Sequence, residues 1–541
     1  MSQRTTPAPW PPRDADHLLV SGSQMAALEE QLFASGLPVE ALMEKAALAV
    51  SRRLSQRLAR ARQPGAVDPG VIVLVGPGHN GGDGLVVARE LHLGGHRVRL
   101  WCPFERMRPL TDAHARHAAW LGIPRLESAP DPADPALWVD ALFGIGQTRP
   151  PGPTLEALLA DRQRQRPHQL AAIDLPTGLC ADSGDCLGEQ AATAGVTYTI
   201  GLIKRGLVQD RSLARVGRLE RIDLGLPRHL LATLPDSQPL GLGGRGLAKA
   251  DLLGAPLPVP DPAAGKYGRG RLLVIAGSLS YRGAARMALA GASAAGCGSL
   301  RAMLPSDLAE GLWALLPEVV LERSPGCDAQ GALCMEGLDH HVLERLDAVL
   351  LGPGMGTGAD VSSTGSGQAW AALQTFGGLV VLDADGLNRL AAGAADAPAE
   401  NWLRRRAGPT WLTPHHQEFA RLFPDLAGEE PLEAAAVAAA RANCSVLLKG
   451  ARSVIAAPDG RRWQLLQACP EAARAGLGDV LAGYAAGLGA LAAGAGMEAD
   501  AQLLALAALV HARAGAHAAQ RRGPGGATPL AVAARLARAV G

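Results

Sequence analysis

The sequence predicts an α/β protein of two domains in tandem, each a parallel sheet layered between helices, and three observations carry that reading. Short Val-, Ile- and Leu-rich runs alternate with longer Ala- and Leu-rich stretches of helical period along most of the 541 residues, as strands joined by crossover helices do. Glycine-rich loops directly follow several of those runs in both halves. A segment from about Leu226 to Gly265, rich in Gly, Pro and Leu and without clear period, separates the halves. At this length one compact core is not expected.

The strand candidates of the first half are Val71 to Val75, Arg97 to Cys102, Leu137 to Leu142 and Leu170 to Leu175. Those of the second half are Arg271 to Ala276, Ala348 to Leu351, Leu379 to Leu382 and Ser445 to Leu448. The domains are placed at 15–228 and 247–541, with 229–246 as the linker. Met1 to Asp16, Pro-rich and polar, reads as a disordered tail and not a signal peptide. The Ala-rich end from Ala485 reads as packed helices.

Lys plus Arg number 52 against 51 Asp plus Glu. That balance gives no electrostatic reason to expect nucleic acid or an anionic membrane as partner. Eight scattered cysteines lack the spacing of a zinc site or a disulfide scaffold. The expectation is a soluble cytoplasmic protein that meets no nucleic acid and no membrane.

The stretch VIVLVGPGHNGGDGLVVARELHLGGHRVRL (Val71 to Leu100) is a strand, a glycine loop and a helix expected to start near Gly84. Amide groups at such a helix start favour an anionic ligand. Gly76, Gly78 and Gly81 satisfy a dinucleotide-loop spacing, a weak sign alone. Asn80 and Asp83 add oxygens that a plain phosphate loop does not need, and a cation or a ribose hydroxyl would account for them. Asp140 in VDALFGIGQTRPP and Asp174 with Thr177 in AAIDLPTGL end two further strands, whose loops converge on one crevice in an open parallel sheet. Asn80, Asp140 and Thr177 then form an all-oxygen set suited to a hard cation.

GPGHNGGDGLVVAR, DALFGIG and DLPTG, preceded by the helical Ser21 to Val50, resemble the NAD(P)H-hydrate epimerase family. The resemblance runs over about Ser21 to Leu224. It implies a Rossmann-like three-layer domain with potassium held by Asn80, Asp140 and Thr177. It also implies hydrate binding by His79, Asn80, Gly81, Gly82 and Asp83, by Gly144, Ile145, Gly146, Gln147, Thr148, Arg149 and Pro150, and by Asp174. A buried carboxylate near a cation can exchange protons at a carbinol carbon, and Asp174 is assigned that work. His79 and Thr177 stand where the family usually has Asn and Ser, and Gly195 where it often has Asp.

The second half opens with GKYGRGRLLVIAGSLSYRGAARMALAGASAAGCGSL (Gly265 to Leu300), a strand, a glycine turn and a small-residue helix. GPGMG (Gly352 to Gly356), DADGLN (Asp383 to Asn388), LTPHHQEFARL (Leu412 to Leu422), LLKGARSVI (Leu447 to Ile455) and AGLGDVLAG (Ala475 to Gly483) come after it in that order. A glycine-led helix start with Asp479 just inside it suits phosphoryl transfer: bare amides stabilise the transferring group while the carboxylate takes the attacking hydroxyl's proton.

These motifs resemble the ADP-dependent NAD(P)H-hydrate dehydratases, whose domain is ribokinase-like. The resemblance implies hydrate contacts from Ala284, Gly354, His415 and Asp479, with Asp479 as general base. It gives the AMP portion of the nucleotide to Lys449, Gly450, Ala451, Arg452, Ser453 and Gly478, and magnesium to the nucleotide phosphates. Leu477 stands in place of the usual Thr. Together the halves resemble bifunctional repair enzymes for NADHX and NADPHX that consume ADP, and association into a homo-oligomer is expected. The rivals are a vitamin kinase, which shares the fold and helix start, and a silent cofactor-binding module.

Overall fold

The computed structural model describes residues 10–61, 68–323, 325–358, 364–393 and 398–539. Two compact units divide the chain: Arg13–Gln238, and residues 239 onward joined by residues 10–12. Residues 1–9 of the expected tail lie outside the described residues. The rest of that tail is not disordered. Trp10 is buried, donating from its indole to the carbonyl of Asp251 (2.7 Å) and accepting from the indole of Trp463 (3.2 Å).

In the first unit, strands β1 (Val71–Val75), β2 (Val98–Trp101), β3 (Leu137–Ala141), β4 (Leu170–Ile173), β5 (Val196–Ile200) and β6 (Arg218–Ile222) form one sheet. Its order is β2-β1-β3-β4-β5-β6, parallel throughout. Helices α1 (Gly22–Ala34), α2 (Val39–Ala61), α3 (His79–Leu93), α4 (Pro109–Trp120) and α5 (Pro153–Gln165) complete the unit. Leu155 and Leu159 of α5 pack with Ile72, Leu74 and Trp138 on one sheet face. On the other, α3 lies so close that a β-carbon on Gly84 would sit 2.4 Å from Cβ of Ala141. The chain turns back between β1 and β3, which opens a crevice at their carboxyl ends. Helix α3 starts at His79 and not near Gly84, so Asn80 to Asp83 belong to its opening turns.

Among its described residues the second unit holds ten strands: β7 (Leu240–Leu242), β8 (Arg271–Ile275), β9 (Ser299–Met303), β10 (Val320–Arg323), β11 (Ala348–Leu351), β12 (Leu379–Leu382), β13 (Thr410–Leu412), β14 (Ser445–Leu448), β15 (Val454–Ala456) and β16 (Arg462–Leu465). The order is β10-β9-β8-β11-β12-β13-β14-β15-β16-β7. Only the β14–β15 and β15–β16 pairs are antiparallel. β7 lies inside the expected linker and pairs in parallel with β16, so those residues belong to a sheet edge.

The helices of this unit include α6 (Arg282–Ala294), α7 (Ala384–Ala391), α8 (His416–Leu422), α9 (Pro431–Ala442), α10 (Leu477–Gly494) and α11 (Ala501–Arg522). Leu273, Val349, Val380 and Leu412 share a core with Leu387 of α7, Phe419 of α8 and Leu432 of α9. α6 and α10 cross with backbones nearly touching: β-carbons on Gly291 and Gly483 would lie 2.2 Å from the carbonyl oxygen of Val480 and 1.9 Å from that of Ala288. Gly291→Ala therefore has opposed effects, a helix-propensity gain of about 1 kcal/mol against an overpacking cost of about 1–3 kcal/mol. A lower urea midpoint of tryptophan fluorescence is expected. α10 is also the one described helix long and apolar enough to cross a membrane, and 78% of that stretch is buried inside the protein.

Candidate active sites

The first site grows from the β1–α3 loop. A β-carbon on Gly76 would fall 1.7 Å from the carbonyl oxygen of Leu142, and one on Gly81 would fall 1.9 Å from that of Gly76. Both positions therefore exclude any side chain, and Gly78, the α3 cap, faces open space. This folding buries Asn80 and Asp83.

Asp140, at the end of β3, is fully buried and accepts from three donors: the Thr177 amide (2.8 Å), the Thr177 hydroxyl (2.8 Å) and the Leu142 amide (3.2 Å). Burial nevertheless pushes its carboxyl up to about 6, against those hydrogen bonds. Asn80 Nδ2 is buried with no hydrogen-bond partner.

Asp174 comes directly after β4 in the left-handed region, with φ of 66°, where an aspartate is one of the better tolerated side chains. Its Oδ1 accepts from Lys204 Nζ at 2.5 Å and its Oδ2 from the Ile145 amide at 3.0 Å. A β-carbon on Gly144 would lie 2.8 Å from that Oδ2 and 3.6 Å from Cβ of Asn80, so Asn80 and Asp174 flank this glycine. Burial, then the charges of Asp174 and Glu29, raise Asp83 well above the usual carboxylate range. Burial also lifts Glu29 to about 7, with Lys204 opposing and Asp174 assisting.

The structure thus gathers Asn80, Asp83, Gly144, Ile145 and Asp174 around one crevice, with the Asp140–Thr177 pair bonded beneath the neighbouring strand ends. Gln147 joins through its Oε1, which accepts from the Gly178 amide at 2.8 Å. Gly146, Thr148, Arg149 and Pro150 are exposed and are not drawn into the cluster. His79 turns to Arg108, 3.2 Å away; burial and that guanidinium lower its pKa.

The second site collects at the carboxyl ends of β12, β13 and β14 and the start of α10. Lys449 Nζ donates to Asp383 Oδ1 at 2.6 Å and lies 3.9 Å from Glu418 Oε2. It also lies 3.3 Å from where a β-carbon on Gly478 would be, so a lysine charge abuts the bare amides of the helix start. Burial works to lower the Lys449 pKa, but Asp383 and Glu418 raise it overall. Asp383 is further held by the Thr413 hydroxyl at 2.8 Å.

Asp479, in the first turn of α10, is pushed up to about 7, by burial first and then by Asp383, with Lys449 opposing. Gly476 caps that helix at φ of 88°, a conformation glycine adopts without strain. His415 caps α8: its Nδ1 accepts from the amides of Gln417 and Glu418, while Glu418 accepts from the His415 amide at 2.8 Å. The ring is therefore neutral with its proton on Nε2, and burial, then Lys449, lowers its pKa. Lys449 is tied to the same loop by its amide on the Pro414 carbonyl (2.8 Å).

Gly354, at φ of 61°, and Ala284 meet: a β-carbon on Gly354 would lie 2.5 Å from that of Ala284. In the loop after Lys449, the Gly450 amide donates to the Ser453 hydroxyl at 3.3 Å, and Arg452 and Ser453 are buried. Ala451 lies exposed in the same turn.

Sequence reasoning missed Lys204 and Glu29 in the first unit and the roles of Asp383, Thr413 and Glu418 in the second. Lys204, followed directly by Arg205, and Glu29, beside Glu30, carried no signal that set them apart from solvated charges.

A parallel-sheet unit with a buried carboxylate cluster and a second α/β unit with a carboxylate at a glycine-led helix start define an α/β protein with two candidate active sites. The family described as NAD(P)H-hydrate dehydratase matches residues 272–538, and that described as YjeF-related protein N-terminus matches residues 39–206. A bifunctional NAD(P)H-hydrate repair enzyme of Gloeobacter violaceus is 42% identical over 87% of this chain and 88% of its own. One of Synechocystis is 39% identical over 93% and 91%. The ADP/ATP-dependent NAD(P)H-hydrate dehydratase of Bacillus subtilis, co-crystallised with ATP and magnesium, is 25% identical over 54% of this chain and 96% of its own, with a TM-score of 0.42. The chain belongs to the bifunctional NAD(P)H-hydrate repair enzymes.

Proposed function

We propose that the first unit interconverts the R and S hydrates of NADH and NADPH and that the second dehydrates the S form at the expense of ADP. The observation that carries this reading is the juxtaposition of Asp479, the Gly478 amide region and Lys449 at one helix start. There the hydrate hydroxyl attacks the terminal phosphoryl of ADP, Asp479 takes the hydroxyl proton, and AMP leaves. Lys449 and the helix amides stabilise the phosphoryl charge. The ring nitrogen then expels phosphate, a far better leaving group than hydroxide, and loss of a ring proton restores the dihydropyridine. Ala284, Gly354 and His415 are proposed to contact the hydrate, and the loop Lys449 to Ser453 the AMP portion. Among the described residues no group of three or more His, Cys, Asp or Glu could hold a metal, so magnesium would come with the nucleotide phosphates.

In the first unit Asp174 is the proposed acid/base group. Asn80, Asp140 and Thr177 are proposed to hold potassium through their oxygens: the Asp140 carboxylate is fully buried and its hydrogen-bond donors are two amides and a hydroxyl, all neutral, so a weakly hydrated monovalent cation would offset its charge. Bound there, potassium would lend positive charge to the crevice. Rates of R-hydrate epimerisation in potassium chloride against choline chloride check this: the wild-type protein should be slower in choline, and Thr177→Val should respond little to the exchange. Gly144 to Pro150 and His79 to Asp83 are proposed to receive the hydrate. The cytoplasm and a homo-oligomeric assembly complete the proposal, and all eight cysteines are free thiols.

The deciding experiment supplies separated R and S hydrates with ADP, magnesium and potassium and tracks reduced-nicotinamide absorbance. Recovery from both forms is expected. No recovery, with ATP-dependent phosphorylation of a vitamin precursor instead, would establish the kinase reading.

A further inference from the structure

Lys204 has no part in the chemistry so far, yet it is among the most deeply buried charges in the first unit, with its side chain 1% exposed. Its ammonium meets three acceptors, Asp174 Oδ1 at 2.5 Å, the Ile200 carbonyl at 2.6 Å and the Thr199 hydroxyl at 3.2 Å. An ammonium has three protons, so none remains for a ligand. Its backbone is fixed as well, because Ile203–Lys204 pairs in parallel with Leu19–Val20. Stability alone gives no reason for the arrangement, since apolar residues of similar volume commonly replace buried ion pairs at no loss.

What the lysine does is visible in its partner. Asp174 occupies a left-handed backbone conformation, and the ammonium holds Oδ1, while Oδ2 faces Gly144 beside Asn80. We infer that Lys204 is a positioning residue for epimerisation: it immobilises one oxygen of Asp174 and so aims the other at the glycine crevice. The inference rests on the proposal that Asp174 is the acid/base group. Misplacing a reacting oxygen by about 1 Å can cost about 100-fold in rate, which sets the effect to look for.

The test uses the full chain and separated R hydrate, with the R to S conversion measured chromatographically without ADP. Lys204→Met should lower kcat by about 100-fold while KM changes little, and Lys204→Arg should recover much of the loss. Circular dichroism and thermal unfolding of each variant report whether the first unit is folded. An unchanged kcat in Lys204→Met, kcat and KM worsening together, or an arginine variant as inactive as the methionine one would overturn the positioning role. If Asp174→Asn epimerises normally, the acid/base assignment itself falls, an outcome distinct from failure of the lysine alone.

Discussion

Replacing Asp479 with alanine should abolish ADP-dependent dehydration while ADP still binds. General-base catalysis supplies about 10²- to 10⁴-fold, and kcat on the S hydrate should fall within that span. The nucleotide contacts proposed for Lys449 and Gly478 do not involve the aspartate, so calorimetric affinity for ADP should change little. The wild-type pH profile should follow the same group. A carboxyl held at about 7 by burial and by Asp383 is mostly protonated, and unable to accept a proton, below that pH. The rate should therefore climb as pH rises through neutrality and lose that limb in the variant. Undiminished kcat in Asp479→Ala would remove the assigned base.

Asp174→Asn should strand the R hydrate and leave the S hydrate repairable. Asparagine tolerates the left-handed backbone that Asp174 adopts, so the substitution removes charge and proton acceptance with little conformational penalty. It does leave the Lys204 ammonium buried opposite a neutral amide, and breaking a buried pair costs about 3–5 kcal/mol. Pairing it with Lys204→Met should restore stability without restoring epimerisation, which separates the two effects. Assaying each hydrate with ADP settles the point: equal loss on R and S would contradict the division of labour.

Most of the scaffold was legible in the amino-acid order alone. Ala348–Leu351, Leu379–Leu382 and Ser445–Leu448 are the strands their apolar runs predicted, because a buried parallel strand leaves little choice of residue. The helix start was misplaced because glycines read locally as loop. Gly81 and Gly84 are helical here since only glycine lets α3 approach Gly76 and Ala141, a tertiary demand that overrides propensity. Leu240–Leu242 was hidden for a related reason: a three-residue edge strand in a Gly- and Pro-rich segment has no pattern of its own and exists by pairing with β16. Asp174 and Asp479 became candidates through the strand end and the glycines beside them. Lys204 and Asp383 did not, because their meaning lies in partners 30 and 66 residues away.

The proposed dehydratase base stands on α10, a mostly buried helix with glycine-to-carbonyl contacts against α6. Such a mounting leaves no pliable hinge between the reactive group and the core. Heating should accordingly produce no gradual decline in dehydration ahead of melting: inactivation and the unfolding of this unit should share one midpoint and one steepness.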